Sequence, residues 1–219
     1  MNGSEKNYME QEKIAELQAQ SRKMRKKMIV VLSVVIAVIL LLVIAILVIN
    51  KLTAPKTPDL PDYEFYPTYQ GNIMEYDRYL DLDRQVYYSE MGTTTSITEE
   101  NREEFDPAVL FLYDYVQSII AGDHTRYNQF FSDSYFKECD PQTPFSPQML
   151  YRIVITYQST EEEAGDKLIT YRLDYMIFEN DGTFRRDIES DASRPQIVTL
   201  RVTPNGEIAI EKLITNYIS

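Results

Sequence analysis

The longest apolar run of the chain lies at residues 28–49. Its 22 positions include a single polar residue, Ser33. A helix rises about 1.5 Å per residue, so this run is roughly 33 Å long and can cross a hydrocarbon core of ~30 Å. A helix also pairs every backbone polar group within the segment, as lipid requires. The pattern therefore predicts a transmembrane helix over residues 28–50 that contacts membrane lipid.

Charges beside this run predict its orientation. Five cationic residues lie within residues 22–27, whereas only Lys51 and Lys56 follow the run closely. The positive-inside rule makes residues 1–27 a cytoplasmic tail and places the rest of the chain outside. The alternative is a cleaved signal peptide, which has an apolar region of about 7–15 residues and a small-x-small cleavage site. The run is longer, and residues 47–51 offer no such site.

A stalk and linker rich in proline and tyrosine is predicted over residues 51–102. Four prolines within residues 53–67 disfavour helix and sheet and indicate an extended spacer. Residues 91–101 are rich in Thr, Ser and Glu and are interpreted as a flexible connection. Seven tyrosines lie between these segments, either as a partner-binding strip or as rings that pack onto the following domain or near the lipid interface. They are Tyr63, Tyr66, Tyr69, Tyr76, Tyr79, Tyr87 and Tyr88.

A long helix is predicted after the linker. Asp106 is suited to the N-cap, and Pro107 to the first helical position. Gly122 is a typical residue for the end of the helix. A second short helix is predicted over residues 125–131. The apolar residues that recur at helical spacing in the long helix are Val109, Leu112, Val116 and Ile119.

Beyond residue 150 the apolar positions recur with a period of two, which predicts four or five antiparallel strands. Because the helices precede the strands, we expect an α+β domain over residues 103–219, with helices packed on one face of a curved antiparallel sheet. Turn sequences at 180–182 and 204–206 separate some of the strands. The predicted strands cover residues 151–157, 169–177, 183–188, 198–202 and 207–214.

Residues 119–131 suggest a family. They read Ile-Ile-Ala-Gly-Asp-His-Thr-Arg-Tyr-Asn-Gln-Phe-Phe and lie between the long helix and the strands. This arrangement resembles the NTF2-like superfamily over roughly half of the chain. The resemblance implies a cystatin-like cone in which helices close one side of a bent sheet around a pocket. With the anchor, the chain is similar to bacterial extracytoplasmic envelope proteins, including scaffold subunits of conjugation and secretion systems.

The net charge of −12 over 219 residues conceals two regions of opposite sign. Residues 1–27 carry seven Lys/Arg and four Asp/Glu, whereas residues 51–219 carry 15 Lys/Arg and 30 Asp/Glu. A net charge of −15 outside the membrane repels nucleic acid and favours solubility. The chain has one Cys and one His, which excludes an intramolecular disulfide and a zinc site built from several such ligands.

Few residues are candidates for chemistry. The resemblance implies that enzymatic relatives use a carboxylate, Tyr or His inside the cone. Arg172 and Asp174 lie on a strand with Tyr171 and Tyr175, but the alternation predicts that the two charged residues are on the outer face. His124 follows the Gly-Asp turn and is expected at the surface, although a base at a pocket mouth is the alternative.

Cys139 lies among carboxylates, which disfavour the thiolate that a nucleophile requires. The acidic runs at 161–163 and 187–191 can bind calcium only weakly, since the second lacks the glycine of an EF-hand loop and the first is typical of a hairpin tip. Both runs are interpreted as solvated surface. We therefore predict no catalytic, cofactor-binding or metal-binding residues and no enzymatic activity.

The expected function is that of a single-pass membrane protein that displays a non-catalytic NTF2-like domain outside the membrane for protein interaction or envelope assembly. It would have a protein partner or associate with itself there, and would not bind nucleic acid. Two alternatives stay open. One is a small-molecule-binding or isomerase-like domain, and the other is a scaffold subunit of a conjugation or secretion system.

Overall fold

The computed structural model describes residues 63–215 and the isolated position 39. The chain divides into two units, Met1–Pro58 and Asp59–Ser219, and the fold below is that of the second. The predicted cytoplasmic tail, the predicted transmembrane helix over 28–50 and the prolines at 55, 58 and 61 lie outside the described residues. Among the residues that are described, no helix is long and apolar enough to span a bilayer.

The described part of the chain has the predicted α+β class. Its α-helices are α1 (Asp77–Leu80), α2 (Pro107–Ala121) and α3 (His124–Gln129). Its strands are β1 (Val86–Glu90), β2 (Thr93–Ile97), β3 (Leu150–Glu163), β4 (Asp166–Ile177), β5 (Gln196–Val202) and β6 (Ile208–Thr215). Short 3-10 turns lie at Ile73–Glu75, Arg102–Glu104 and Tyr135–Lys137.

The six strands form one mixed sheet in the order β2-β1-β3-β4-β5-β6. All neighbouring strands are antiparallel except β1 and β3. These two pair in parallel, with Val86 opposite Ile153 at the first pair and Ser89 opposite Thr156 at the last. The expectation of a purely antiparallel sheet is therefore corrected. The reason is that α2 and α3 lie between β1 and β3 in the chain, and a parallel pair needs a crossover of about this length.

The hairpin of β1 and β2 corrects a second expectation. The sequence predicts a flexible connection over residues 91–101, yet residues 93–97 form the edge strand β2. Its pairing with β1 runs from Glu90 opposite Thr93 to Val86 opposite Ile97. Met91 and Gly92 turn the hairpin with φ values of 49° and 82°, which suits a tight two-residue turn. Thr is β-branched and favours strands, so its propensity outweighs the polar composition.

The predicted strands 151–157, 169–177, 198–202 and 207–214 are confirmed within β3 to β6, and β3 and β4 extend further to a tip at Ala164 and Gly165. The predicted strand over 183–188 is wrong, because these residues form a loop between β4 and β5. Register shifts in β3, one of them beside Arg152 with a φ of 50°, mark irregular pairing with β4. Such bulges bend a strand and increase its twist.

Helix α2 begins and ends where its sequence predicts. The Asp106 side chain accepts a hydrogen bond from the Ala108 amide at 2.8 Å, and Gly122 adopts a φ of 68° while its amide donates to the Ile119 carbonyl. The apolar stripe of α2 packs with one face of the sheet in a single core, in which each fully buried Leu or Ile contributes about 1.5–3 kcal/mol. Core members include Leu112, Tyr115, Val116, Ile119, Ile153, Ile155, Leu173, Val198 and Leu200.

Candidate interaction surface

The tyrosines between residues 63 and 88 divide between the two interpretations, since Tyr79 is buried in the domain whereas Tyr66 and Tyr69 are more than a third exposed. Tyr79 is buried and its hydroxyl donates to the Leu150 carbonyl at 2.7 Å. Burial raises the pKa of Tyr79 to about 12. The Tyr76 ring stacks on Tyr69 with a centroid separation of 4.7 Å and lies 6.1 Å from the Phe178 ring. The folded part of the chain therefore begins well before residue 103.

Residues 63–80 are held by the loop that follows β4. The Tyr66 amide donates to the Asn180 carbonyl at 2.9 Å, so the two segments are joined through their backbones. Glu179 accepts hydrogen bonds from the Arg78 guanidinium at 2.7 Å and from the Tyr76 hydroxyl at 3.2 Å. The Arg78 side chain is 66 % exposed, so this ion pair adds little to stability on its own and serves chiefly to position the segment.

Phe65 provides the apolar part of this attachment. Its ring lies against Gly182, where an added Cβ would be 2.8 Å from a ring carbon. The Arg186 guanidinium lies 5.3 Å from the centroid of the same ring, within the range of a cation–π contact. Gly182 also has a φ of 70°, so both its backbone conformation and its lack of a side chain are needed here.

Asn180 gives the loop its shape. It is completely buried, and its side-chain Nδ2 donates to the carbonyls of Arg185 and Ile188 at 3.0 and 2.9 Å. Its Oδ1 accepts from the Gly182 amide at 2.9 Å, and its own amide donates to the Ser190 hydroxyl. These bonds close the backbone around one side chain. This local pairing replaces the returning strand that the turn sequence at 180–182 suggested.

A buried ion pair fixes the loop to β4. Arg185 donates to Asp187 at 2.9 and 2.6 Å, to the Tyr175 hydroxyl at 3.1 Å and to the Arg194 carbonyl at 3.2 Å. Burial alone would lower the pKa of Arg185, but Tyr175 and Asp187 outweigh it and raise that pKa. Burial would likewise raise the pKa of Asp187, yet the hydrogen bonds and charge of Arg185 hold it below its ordinary value. Both groups are therefore ionised and paired at neutral pH.

Exposed apolar side chains concentrate on the segment that this loop holds. Within residues 63–215, six large hydrophobic side chains are more than a third exposed, and four of them lie between residues 66 and 80. Tyr66 and Met74 are each about half exposed. We name this set the tyrosine–methionine surface. Its members are Tyr66, Tyr69, Met74 and Leu80.

A groove of about 330 Å³ adjoins the tyrosine–methionine surface. One wall comes from the turn at residues 71–74 and the other from the end of α2 and Pro147. Pro147 also borders a small cleft beside Tyr69, so the groove and the exposed tyrosine belong to one surface. No lining residue is ionisable. The lining consists of Gly71, Asn72, Ile73, Met74, Gln117, Ile120, Ala121 and Pro147.

The structure also locates the residues that sequence patterns had singled out for chemistry. Arg172 and Asp174 form an ion pair at 2.8 Å on the outer face, as the alternation predicted, while Tyr171 and Tyr175 are buried. His124 begins α3 and is half-buried. These side chains do not converge on one site.

The remaining candidates are likewise dispersed. Cys139 is an exposed free cysteine. Glu163, from the first acidic run, pairs with Arg201 at 2.9 Å, and Asp187, from the second, pairs with Arg185. Within residues 63–215, no three His, Cys, Asp or Glu side chains are arranged to hold a metal ion.

Comparison with known proteins does not add to this description. The chain matches no protein-family model, no curated protein and no solved structure. What the tyrosine–methionine surface does is therefore inferred from its own geometry, exposure and charge.

The attachment of residues 63–80 predicts a specific effect of Gly182→Ala. The new methyl group would meet the Phe65 ring at 2.8 Å, so we expect Phe65 to be displaced and amide hydrogen exchange over residues 63–80 to accelerate about 10-fold, equivalent to about 1.4 kcal/mol. Hydrogen exchange followed by mass spectrometry of the full chain measures this. Gly165→Ala is the matched control, because Gly165 also has a positive φ but no atom within 4 Å of an added Cβ. Equal protection of residues 63–80 in both variants would contradict the attachment.

Proposed function

We propose that the chain is a single-pass membrane protein, with its amino terminus in the cytoplasm, that displays a non-catalytic NTF2-like domain outside the membrane for protein interaction or envelope assembly. The observation that carries this proposal is the tyrosine–methionine surface with its groove. Tyr and Met are enriched at protein interfaces, since they offer large apolar contact area and adaptable shape. The assignment to the NTF2-like superfamily rests on residues 119–131 and on the order of helices before strands.

Charge supports this interpretation. Residues 63–215 carry 13 Lys/Arg and 28 Asp/Glu, a net charge of −15, but residues 65–74 carry no charge. A partly apolar surface on a strongly acidic domain is where a partner can approach with little loss of hydration energy. Along the chain this surface begins at the end of the proline-rich spacer that follows the proposed anchor at 28–50. It would thus be displayed outside the cell membrane.

The interior of the domain favours interaction over turnover. Tyr171, Leu173 and Tyr175, the residues of β4 that face the helices, are all buried in the core. The Tyr115 hydroxyl donates to that of Tyr127 at 3.2 Å in the same region. These side chains belong to the packed core, which argues against the small-molecule-binding or isomerase-like alternative. The alternative of a scaffold subunit in a conjugation or secretion system is compatible with this proposal, because such a subunit would bind its partners through a non-catalytic surface.

Site-specific photo-cross-linking in intact cells tests the interaction. A photoreactive phenylalanine analogue at position 69 is expected to give a discrete protein adduct, because Tyr69 lies on the proposed surface. The same analogue at position 91 is the control, since Met91 is 97 % exposed but lies on the β1–β2 turn. Adducts of equal yield at both positions, or none at position 69, would refute the interaction surface. A carboxyl-terminal tag that resists external protease in wall-stripped cells would refute the topology.

A further inference from the structure

We propose that Arg84 and Arg152 bind a carboxylate of a protein partner, while the groove beside Met74 receives an aliphatic side chain from the same segment. This inference rests on the proposed function and adds the chemistry of the partner. Three observations support it. They are two arginines without an ion pair, a guanidinium nitrogen without a hydrogen bond, and a small core that both the arginines and the groove border.

Arg84 and Arg152 differ from most arginines of the domain in having no ion pair. Residues 63–215 carry 28 Asp/Glu and only 13 Lys/Arg, so carboxylates are abundant. Among the described arginines, only Arg84, Arg152 and Arg186 form no ion pair, and Arg186 lies over Phe65 in the attachment of residues 63–80. Arg84 and Arg152 can therefore accept a carboxylate from outside. The paired arginines are Arg78, Arg102, Arg126, Arg172, Arg185, Arg194 and Arg201.

The Arg84 guanidinium is only partly bonded. Its Nε is buried without a hydrogen-bond partner, which is true of no other side-chain nitrogen or oxygen in the described residues. Its Nη1 lies 3.8 Å from the Met74 Sδ, a weak acceptor, and its Cζ lies 5.5 Å from the centroid of the Tyr79 ring. The neighbouring Asp83 carboxylate instead accepts from the Tyr87 hydroxyl at 3.1 Å. A half-buried cation of this kind attracts an anion more strongly than a fully hydrated one.

The fold brings Arg152 beside Arg84. The Arg152 amide donates to the carbonyl of Asp83 at 2.7 Å, and the parallel pairing of β1 with β3 begins directly afterwards. Arg152 is exposed, and its Cζ lies 6.0 Å from the centroid of the Tyr151 ring. Each guanidinium offers several donors in one plane, a geometry that suits a carboxylate. Two arginines on adjoining backbones therefore favour one anionic group between them.

The arginines and the groove border the same small core. The rings beneath the two arginines, Tyr79 and Tyr151, belong to a buried cluster that also contains Ile73. Ile73 lines the groove, and so does Met74, which lies next to the Arg84 guanidinium. No ionisable side chain lines the groove, so it favours an aliphatic group. A segment with an aliphatic residue next to Asp or Glu can thus engage both features.

Charge disfavours two other sources of an anion. A second copy of the chain would bring a second net charge of −15 over residues 63–215. An anionic membrane surface repels an acidic domain. A protein segment with a single carboxylate brings only the charge that the two arginines accept, and its hydrogen bonds to them are charge-assisted. It is therefore the occupant that the structure favours.

Methionine methyl NMR of the full chain in phosphatidylcholine nanodiscs tests this inference, with carbon-13 in the methionine methyl groups. The probe is the capped peptide Gly-Leu-Glu-Gly, compared with versions in which Gln replaces Glu or Ser replaces Leu. We expect the first peptide to shift the Met74 signal, and the other two to bind at least about 5-fold more weakly because they lack the carboxylate or the aliphatic group. Met91 is an internal control, because it is exposed on the β1–β2 turn.

Three variants locate the binding site. Arg84→Gln and Arg152→Gln are each expected to weaken binding of the Leu-Glu peptide at least about 5-fold, since each removes a charged donor. Arg172→Gln is the matched control, because it removes the same charge from the outer face of the sheet and should leave binding unchanged. Arg152 is exposed, so its variant keeps the test valid if Arg84→Gln does not fold. Loss of a signal in Met74→Leu assigns Met74.

Several results would overturn the inference. They are equal binding of the Gln peptide, unchanged binding in both arginine variants, a common shift of Met74 and Met91, and no shift at all. Inorganic phosphate that binds as well as the Leu-Glu peptide would replace the carboxylate with a phosphate. A Met74 shift in phosphatidylglycerol nanodiscs alone would identify the membrane as the occupant, and one that depends only on protein concentration would identify a second copy. If cross-linking at position 69 succeeds while the peptide fails, the proposed function stands and only this partner chemistry is refuted.

Discussion

Asn180→Ala is expected to destabilise the domain by about 3–5 kcal/mol, one of the two largest effects that the structure predicts. Alanine removes three side-chain hydrogen bonds and leaves the carbonyls of Arg185 and Ile188 and the Gly182 amide without their partner. Each buried polar group left unpaired costs about 1–3 kcal/mol. Because Asn180 is completely buried, water cannot replace the lost bonds without opening the loop. Urea unfolding of the full chain in detergent measures the loss.

The same substitution should also release the tyrosine–methionine surface. The Tyr66 amide bonds to the Asn180 carbonyl, so a loop that opens no longer holds residues 63–80. We expect hydrogen exchange to accelerate in both segments together. Asn205→Ala, at the exposed turn between β5 and β6, is the matched control and should change stability by less than about 0.5 kcal/mol. Similar stability losses in the two variants would show that Asn180 does not organise the loop.

Much of the helical and strand architecture could be predicted because its determinants are local. Asp106, Pro107 and Gly122 specify the two ends of α2 through a cap, a fixed φ and a left-handed conformation, and none of these depends on distant residues. Period-two alternation likewise located the long strands β3 and β4, because a strand with one buried face must alternate. In these elements local preference and tertiary packing agree.

The mixed sheet could not be predicted in the same way. Thr93, Thr94 and Thr95 are exposed, so no buried face produces an apolar alternation in β2. The parallel pairing of β1 with β3 joins residues more than 60 positions apart, and no local pattern encodes it. Two features of the sequence do favour the β1–β2 hairpin, namely the Met-Gly turn and the β propensity of the threonines. Both are weaker evidence than the polar composition of residues 91–101, which favours a loop.

The sequence predicted only part of the candidate surface. The tyrosines between residues 63 and 88 were visible as an excess of one residue type, but whether they pack or stay exposed depends on what lies beneath them. Tyr79 is buried because the Leu150 carbonyl is within reach of its hydroxyl, whereas Tyr66 contributes mainly its backbone amide and leaves its ring half exposed. Asn180 and Arg185 gave no signal beyond a turn sequence and a charge, since their importance comes from burial.

Arg185→Met is expected to cost about 3 kcal/mol at neutral pH, the lower end of the range for a broken buried pair, because it leaves the mostly buried Asp187 carboxylate with only the longer contact to Arg194 at 3.5 Å. The aliphatic part of methionine fills much of the space of the Arg185 side chain, so lost charge rather than lost volume dominates. Arg172→Met is the control, since the Arg172–Asp174 pair lies on the outer face and an exposed pair contributes about 0–1 kcal/mol. A loss below about 1 kcal/mol for Arg185→Met would contradict the role of the buried pair.

A second change separates an unpaired charge from a lost contact. Arg185→Met combined with Asp187→Leu removes both charges, and we expect it to recover at least about half of the stability lost in Arg185→Met, since a buried ion pair can be replaced by apolar residues at small cost.

The pH dependence of stability also distinguishes an unpaired charge from a lost contact. Arg185 lowers the pKa of Asp187 below its unfolded value, so the pair stabilises the native chain above about pH 4 and this contribution disappears as the pH falls through the native pKa. The difference in unfolding free energy between the native chain and Arg185→Met should therefore shrink as the pH is lowered past 4, and a difference that stays constant would mean that Arg185 acts through packing alone.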